Sequence, residues 1–118
     1  MIEMAEELQN FTKRYVILKG YQNDSNEMGM IVLDKKTSSI EIVYNDRIDY
    51  VSHGTGDVFA SAFSGALLNG FSLYNAMCIA VRFTCDCIKR TKMSSPDTHY
   101  GVDFERGIPY LLKELKKI

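Results

Sequence analysis

The spacing of apolar residues changes from short strand-like runs in the first half of the chain to helical repeats in the second. Residues 2–10 are polar and suit a helix. The run 14–19 is short, apolar and continuous, which is typical of a buried, parallel β-strand. Residues 28–33 and 39–44 predict two more strands, and the polar turn between them predicts a β-hairpin.

Three helices are predicted in the second half. Residues 55–69 carry apolar side chains on one face, and Gly70 is placed to end that helix in a left-handed conformation. Residues 73–90 form the next predicted helix, and Ser72 can cap its N-terminus. The last helix is predicted from three apolar residues at helical spacing: Leu111, Leu115 and Ile118. A few strands with about four helices predict an α/β protein.

The length and composition agree with a small globular protein. With 118 residues, we expect a single domain, and 46% hydrophobic and 25% charged residues are ordinary values. The net charge of −1 gives no reason to expect nucleic acid or an anionic membrane as a partner. No apolar run approaches the roughly 20 residues that cross a bilayer. We therefore expect neither a membrane nor a nucleic acid to be a partner.

The cysteines and the N-terminus indicate a cellular setting. Three cysteines are an odd number, and a reducing cytoplasm is the simplest setting for them. Cys85 and Cys87 would point to different sides of a helix, so free thiols are expected in place of a zinc site. The first seven residues lack the basic flank and apolar core of a signal peptide. The expected location is the cytoplasm.

The sequence Gly54-Thr55-Gly56-Asp57 stands directly at the start of the first predicted helix of the second half. Glycines allow a tight turn and a close approach to the backbone, and free amides at a helix start attract phosphate. An aspartate beside bound phosphate can accept the proton of an attacking hydroxyl. The structural alternative is a glycine turn in which Asp57 only complements the helix dipole, worth roughly 0.3–1 kcal/mol.

This motif and the helix after it resemble the anion hole of the ribokinase superfamily of small-molecule kinases. Asp57–Ala62 continues the motif helix, and Asn69-Gly70 closes it. Further residues fall as they do in the pyridoxal kinase branch: Ala76, Ile79, Ala80, Thr91 and Tyr100–Glu105. The related hydroxymethylpyrimidine kinases often have cysteine at the position of Asp57, so the acid favours the pyridoxal branch.

The resemblance implies roles for individual residues. Asp57 would be the general base, and the amides of Gly54, Thr55 and Gly56 would hold the transferring phosphoryl group. ATP would be the donor, with Mg²⁺ held mainly by its phosphates; no protein ligand for the metal is assigned. In the superfamily, the strand end at Lys19-Gly20 adjoins the nucleotide, although a solvent-exposed lysine is an equally good interpretation.

The polar loop residues near these segments are expected to have structural roles. Asp24, Ser25, Asn26 and Glu27 could border the nucleotide, although a solvated turn is favoured. His53 and His99 are expected to be loop side chains, because the motif's chemistry uses backbone amides and one carboxylate.

The motif normally lies in the C-terminal part of longer kinases. Residues 1–118 are therefore expected to be a single truncated domain, the C-terminal, ATP-binding portion of a ribokinase-like fold, with one parallel strand and a β-hairpin. The implied activity is phosphorylation of the hydroxymethyl group of pyridoxal, pyridoxine or pyridoxamine. The alternatives are a hydroxymethylpyrimidine or sugar kinase and a non-catalytic nucleotide-binding remnant. An exposed strand edge would favour a homo-oligomer.

Overall fold

The protein is described from a computed structural model, which defines residues 2–11, 14–22, 27–46, 54–94 and 103–116. The chain divides into two compact units, Met1–Arg47 and Ile48–Ile118, and each is described by itself. The expectation that the whole chain is a single domain stays a prediction.

The first unit is a three-stranded antiparallel sheet with one helix. The elements are helix α1 (Ile2–Leu8), a 3-10 turn (Gln9–Phe11), and strands β1 (Tyr15–Gln22), β2 (Glu27–Asp34) and β3 (Ser39–Asp46). The strand order is β1-β2-β3. The predicted hairpin of β2 and β3 is confirmed, and its turn includes Ser38 at φ 55°.

Strand β1 differs from the sequence prediction in direction and length. It is antiparallel to β2, with Tyr15 opposite Asp34 and Lys19 opposite Met30, so the parallel arrangement was wrong for this pairing. A short apolar run indicates burial but does not define the direction of its neighbour. Lys19-Gly20 also does not end the strand. Gly20 adopts φ 84° at a bulge, which glycine accommodates without steric cost, and pairing resumes at Tyr21.

The core of this unit lies between α1 and one face of the sheet. Its buried members come from the helix and two strands: Ala5, Val16, Ile31 and Leu33. Ile31 is completely buried at the centre of β2. The continuous apolar run in β1 was therefore correctly interpreted as a packed strand.

The second unit is helical. Helices α2 (Thr55–Leu68) and α3 (Leu73–Ser94) pack against each other, and a 3-10 turn (Glu105–Gly107) leads into helix α4 (Ile108–Glu114). The described residues thus contain four α-helices and three strands, which confirms the α/β class. The core of this unit joins all three helices through Ala66, Ala76, Ile79, Phe63, Leu67, Phe71, Leu111 and Leu115.

The connection between α2 and α3 follows from its sequence. Gly70 adopts φ 88° and donates its N–H to the carbonyl of Leu67, while Phe71 donates to the carbonyl of Ala66. These two bonds form a Schellman motif, which satisfies the last carbonyls of α2. The Ser72 hydroxyl accepts the Asn75 N–H at 3.2 Å and caps α3. The predicted roles of Gly70 at the C-terminus of α2 and of Ser72 at the N-terminus of α3 are both confirmed.

Helix α3 is longer and more deeply packed than its sequence pattern predicts. It runs to Ser94 instead of ending near residue 90. Besides the expected apolar residues, its buried positions include Met77, Val81, Thr84 and Thr91. The exposed Arg82 forms an ion pair with Glu114 of α4 at 2.6 Å.

Candidate phosphate-binding site at the start of helix α2

Helix α2 begins with a set of backbone amides that the helix itself does not use. Its first hydrogen bond runs from the Val58 N–H to the Gly54 carbonyl, at 3.0 Å. The amides of residues 54–57 precede that bond and have no acceptor within the helix. Among the residues that the structure describes, no side chain caps this helix end. The N-terminus therefore presents several N–H donors together with the positive end of the helix dipole.

Gly54 gives this helix start its shape. It is the N-cap residue and adopts φ 85° and ψ 4°, a left-handed conformation that residues with a side chain rarely adopt. A Cβ atom built at Gly54 would meet no atom of the described residues within 4 Å. The backbone conformation, rather than crowding by the described residues, therefore favours glycine here.

Asp57 is exposed in the first turn of α2 and borders an apolar pocket of about 380 Å³. Six of the eight lining residues are apolar, including two phenylalanines. The pocket is lined by Asp57, Val58, Ser61, Ala62, Phe83, Phe104, Ile108 and Leu111. A carboxylate at the rim of an apolar pocket, in the same helical turn as amides that the helix does not use, can accept a proton from a hydroxyl group of a bound ligand.

The structure brings four of the predicted site residues together. Gly54, Thr55, Gly56 and Asp57 form the N-cap and first turn of α2, and their roles in phosphate binding and proton transfer stay predictions. Lys19 and Gly20 belong to strand β1 of the first unit, and their proposed contact with ATP stays a prediction.

Several loop residues fall outside this description. Asp24, Ser25, Asn26, His53 and His99 lie outside the described residues. Glu27 was expected in the same polar loop, but it begins strand β2.

The pocket wall opposite helix α2 was missed by the sequence analysis. Phe104 and Ile108 lie far along the chain from Asp57, and no local pattern connects them. The resemblance of Tyr100–Glu105 to the pyridoxal kinase branch was the available signal, because it marked this segment without giving it a role. Phe104 and Ile108 reach the pocket beside Asp57 only because the 103–108 segment packs against α3 in the folded protein.

None of the three cysteines forms a disulfide within the described part of the chain. Cys78 and Cys85 are half-buried, and Cys87 is buried. Burial raises the pKa of the Cys87 thiol, and the neighbouring Arg90 opposes that rise. In the described ranges, no three His, Cys, Asp or Glu side chains are grouped as metal ligands. None of the helices in these ranges is long and apolar enough to span a bilayer.

Comparison with known families identifies the chain. The family model for phosphomethylpyrimidine kinase matches residues 1–103. The chain belongs to the phosphomethylpyrimidine kinase family. The ribokinase-superfamily assignment made from the Gly54–Asp57 motif is therefore confirmed. A comparison with curated proteins finds no match.

Solved structures of this superfamily share the fold. A candidate phosphomethylpyrimidine kinase from Bacteroides thetaiotaomicron VPI-5482 matches with a TM-score of 0.84 at 23% identity, over 92% of this chain and 38% of that one. Pyridoxal kinase from Lactobacillus plantarum matches with a TM-score of 0.74 at 19% identity, over 84% of this chain and 35% of that one. This family member thus spans less than two fifths of the length of either structure.

A second crystal form of the Bacteroides protein, which contains pyridoxal, gives a TM-score of 0.70 at 21% identity. It covers 97% of this chain and 39% of that one. At these identities the likeness establishes the ribokinase-like fold.

Proposed function

We propose that this chain forms the phosphate-binding part of an ATP-dependent kinase that phosphorylates the hydroxymethyl group of a vitamin B6 compound: pyridoxal, pyridoxine or pyridoxamine. The observation that carries the proposal is the uncapped start of α2, where Gly54 turns the chain and the next amides have no acceptor in the helix. Asp57 lies in the same helical turn. Family membership supports phosphoryl transfer as the chemistry.

The proposed reaction uses Asp57 as the base. Its carboxylate accepts the proton of the substrate hydroxyl, whose oxygen forms a bond to the γ-phosphorus of ATP while the bond to the β,γ-bridging oxygen breaks. The amides of Gly54, Thr55 and Gly56 would balance the negative charge on the transferring group. Mg²⁺ would be held mainly by the phosphates of ATP. Lys19 and Gly20 are retained as predicted ATP contacts.

Two observations bear on the identity of the acceptor, and they point in different directions. Aspartate at position 57 and the pyridoxal in crystals of a Bacteroides neighbour favour a vitamin B6 acceptor. The name of the matching family favours a hydroxymethylpyrimidine, which is the second candidate. Both acceptors present a hydroxymethyl group on a flat heteroaromatic ring, so the same base and anion hole would serve either one.

Titration with Mg-ATP tests the phosphate site directly. We expect the backbone amide resonances of Gly54, Thr55 and Gly56 to shift, because these groups would donate to phosphate oxygens. Gly70 is the internal control, since its N–H is already bonded to Leu67 at the opposite end of α2. Two-dimensional ¹⁵N NMR measures both. If the three amides stay still while distant residues shift, the site has been misplaced.

We also propose that the isolated chain self-associates. In the described sheet, β1 is an edge strand, and its residues 15–18 form a continuous apolar run between Arg14 and Lys19. A second copy could pair with this edge. Light scattering at high micromolar concentration should give the mass of a dimer or larger assembly. A monomer under those conditions would refute this part of the proposal.

A further inference from the structure

Thr91 joins helix α3 to a segment that follows it by twelve residues. Its hydroxyl donates to the Cys87 carbonyl at 2.7 Å and accepts the Asp103 N–H at 2.6 Å. Thr91 is only 2% exposed, so water does not easily replace either bond. A buried amide without an acceptor costs about 1–3 kcal/mol, and the Thr91 hydroxyl therefore specifies where Asp103 lies.

Two further contacts hold the same segment against α3. The half-buried Arg90 donates from Nη1 to the Asp103 carbonyl at 3.1 Å, so both backbone groups of Asp103 are bonded to consecutive residues of one helix. A Cβ atom at Gly107 would lie 2.8 Å from Cε2 of Phe83 and 3.2 Å from Nη1 of Arg90. A side chain at residue 107 would therefore force Phe83 or the 103–108 segment to shift.

These contacts have a consequence for the candidate site. Phe104 follows Asp103 directly, Ile108 follows Gly107, and both side chains line the pocket beside Asp57. Aromatic and aliphatic walls with one carboxylate at the rim suit a flat ring that carries a polar substituent. The position of this wall depends on Thr91, which itself does not line the pocket.

We propose that Thr91 is a positioning residue for ligand binding. By fixing Asp103 against α3, it places Phe104 and Ile108 so that they hold a flat heteroaromatic ring whose polar end lies at Asp57. This inference rests on the proposed phosphate site at α2. The ring could belong to the nucleotide or to the hydroxymethyl acceptor, and separate titrations distinguish these two sources.

The test compares two buried threonines of α3. Thr91→Val removes the hydroxyl that bridges Cys87 and Asp103. Thr84→Val is the matched control, because Thr84 is 8% exposed and, within the described residues, its hydroxyl has no hydrogen-bond partner. Thr91→Ser keeps the hydroxyl and should rescue binding. Dissociation constants are measured by NMR for Mg-ATP, for pyridoxal and for Mg-tripolyphosphate, which has phosphates but no ring.

Thr91→Val should weaken binding of the ring-bearing ligand by about tenfold, in line with the loss of the buried hydrogen bond that holds the Asp103 N–H. Mg-tripolyphosphate affinity should change by less than about twofold, because the α2 amides remain. Thr91→Ser and Thr84→Val should bind all probes nearly as the wild type does. Loss of affinity for Mg-ATP alone would place the nucleotide base in the pocket, and loss for pyridoxal alone would place the acceptor there.

Three results would overturn the inference. Unchanged affinity for both ring-bearing ligands would show that Thr91 does not control the wall, while normal tripolyphosphate binding would leave the proposed function intact. An equal loss for all probes would indicate a purely structural role. If the wild type binds none of the probes, the proposed function and this inference fail together. If Thr91→Val does not fold, Gly107→Ala serves as the second variant, because its Cβ would push against Phe83 and displace the same wall. It should also weaken binding of the ring-bearing ligand and leave the affinity for Mg-tripolyphosphate nearly unchanged.

Discussion

Replacing Asp57 by asparagine should lower kcat by roughly two to four orders of magnitude in a protein that carries this chain within a complete kinase fold. Asparagine keeps the shape of the side chain but cannot accept the proton of the attacking hydroxyl. The affinity for ATP should change much less, since the amides of Gly54, Thr55 and Gly56 are unaffected. Steady-state kinetics with pyridoxal, pyridoxine and pyridoxamine measure both quantities.

The controls separate the base from the substrate assignment. Asp86→Asn removes another exposed carboxylate, on α3, and should leave kcat unchanged. The 118-residue chain alone should show negligible turnover, because phosphoryl transfer requires the acceptor and donor to be aligned. Near-normal turnover in Asp57→Asn would eliminate Asp57 as the base. Activity only with a hydroxymethylpyrimidine or a sugar would retain the mechanism and replace the acceptor.

Local chemistry made part of this structure predictable from sequence. Gly70 and Ser72 marked the end of one helix and the start of the next, because left-handed glycine and a capping hydroxyl are local requirements. Gly54 and Asp57 were predicted for the same reason, since a turn, free amides and a carboxylate are supplied by consecutive residues. The candidate phosphate site comes from one segment, so its residues could be proposed from their order in the sequence, and their roles stay predictions.

Features that depend on distant residues were not predictable in this way. The apolar run in β1 is equally compatible with a parallel and an antiparallel neighbour, and the bulge at Gly20 depends on how β2 pairs with it. The wall of the Asp57 pocket requires Asp103 to reach Thr91 across the chain. The spacing of Phe104 and Ile108 does not predict the contact between Asp103 and Thr91, because that contact is a tertiary hydrogen bond.

The second prediction with a large effect concerns the stability of helix α3, the helix that carries Phe83 and Thr91. Met77 is 0% exposed on this helix and Met93 is 86% exposed, so the same substitution can be made in two opposite environments. Met77→Ala should lower the free energy of unfolding by about 2–5 kcal/mol, because it removes buried methylene groups and leaves a cavity. Met93→Ala should change it by less than about 0.5 kcal/mol.

Urea unfolding followed by far-UV circular dichroism measures the free energy of unfolding of both variants. Because both replace methionine by alanine within one helix, the change in helix propensity is the same and cancels in the comparison. The Met77 variant should also lose the Mg-ATP shifts of Gly54–Gly56 at a lower urea concentration than the Met93 variant, since α2 is packed against α3. Equal stability of the two variants would contradict the packing of α3. A stable Met77 variant with no phosphate response would instead separate the phosphate site from the helix that supports it.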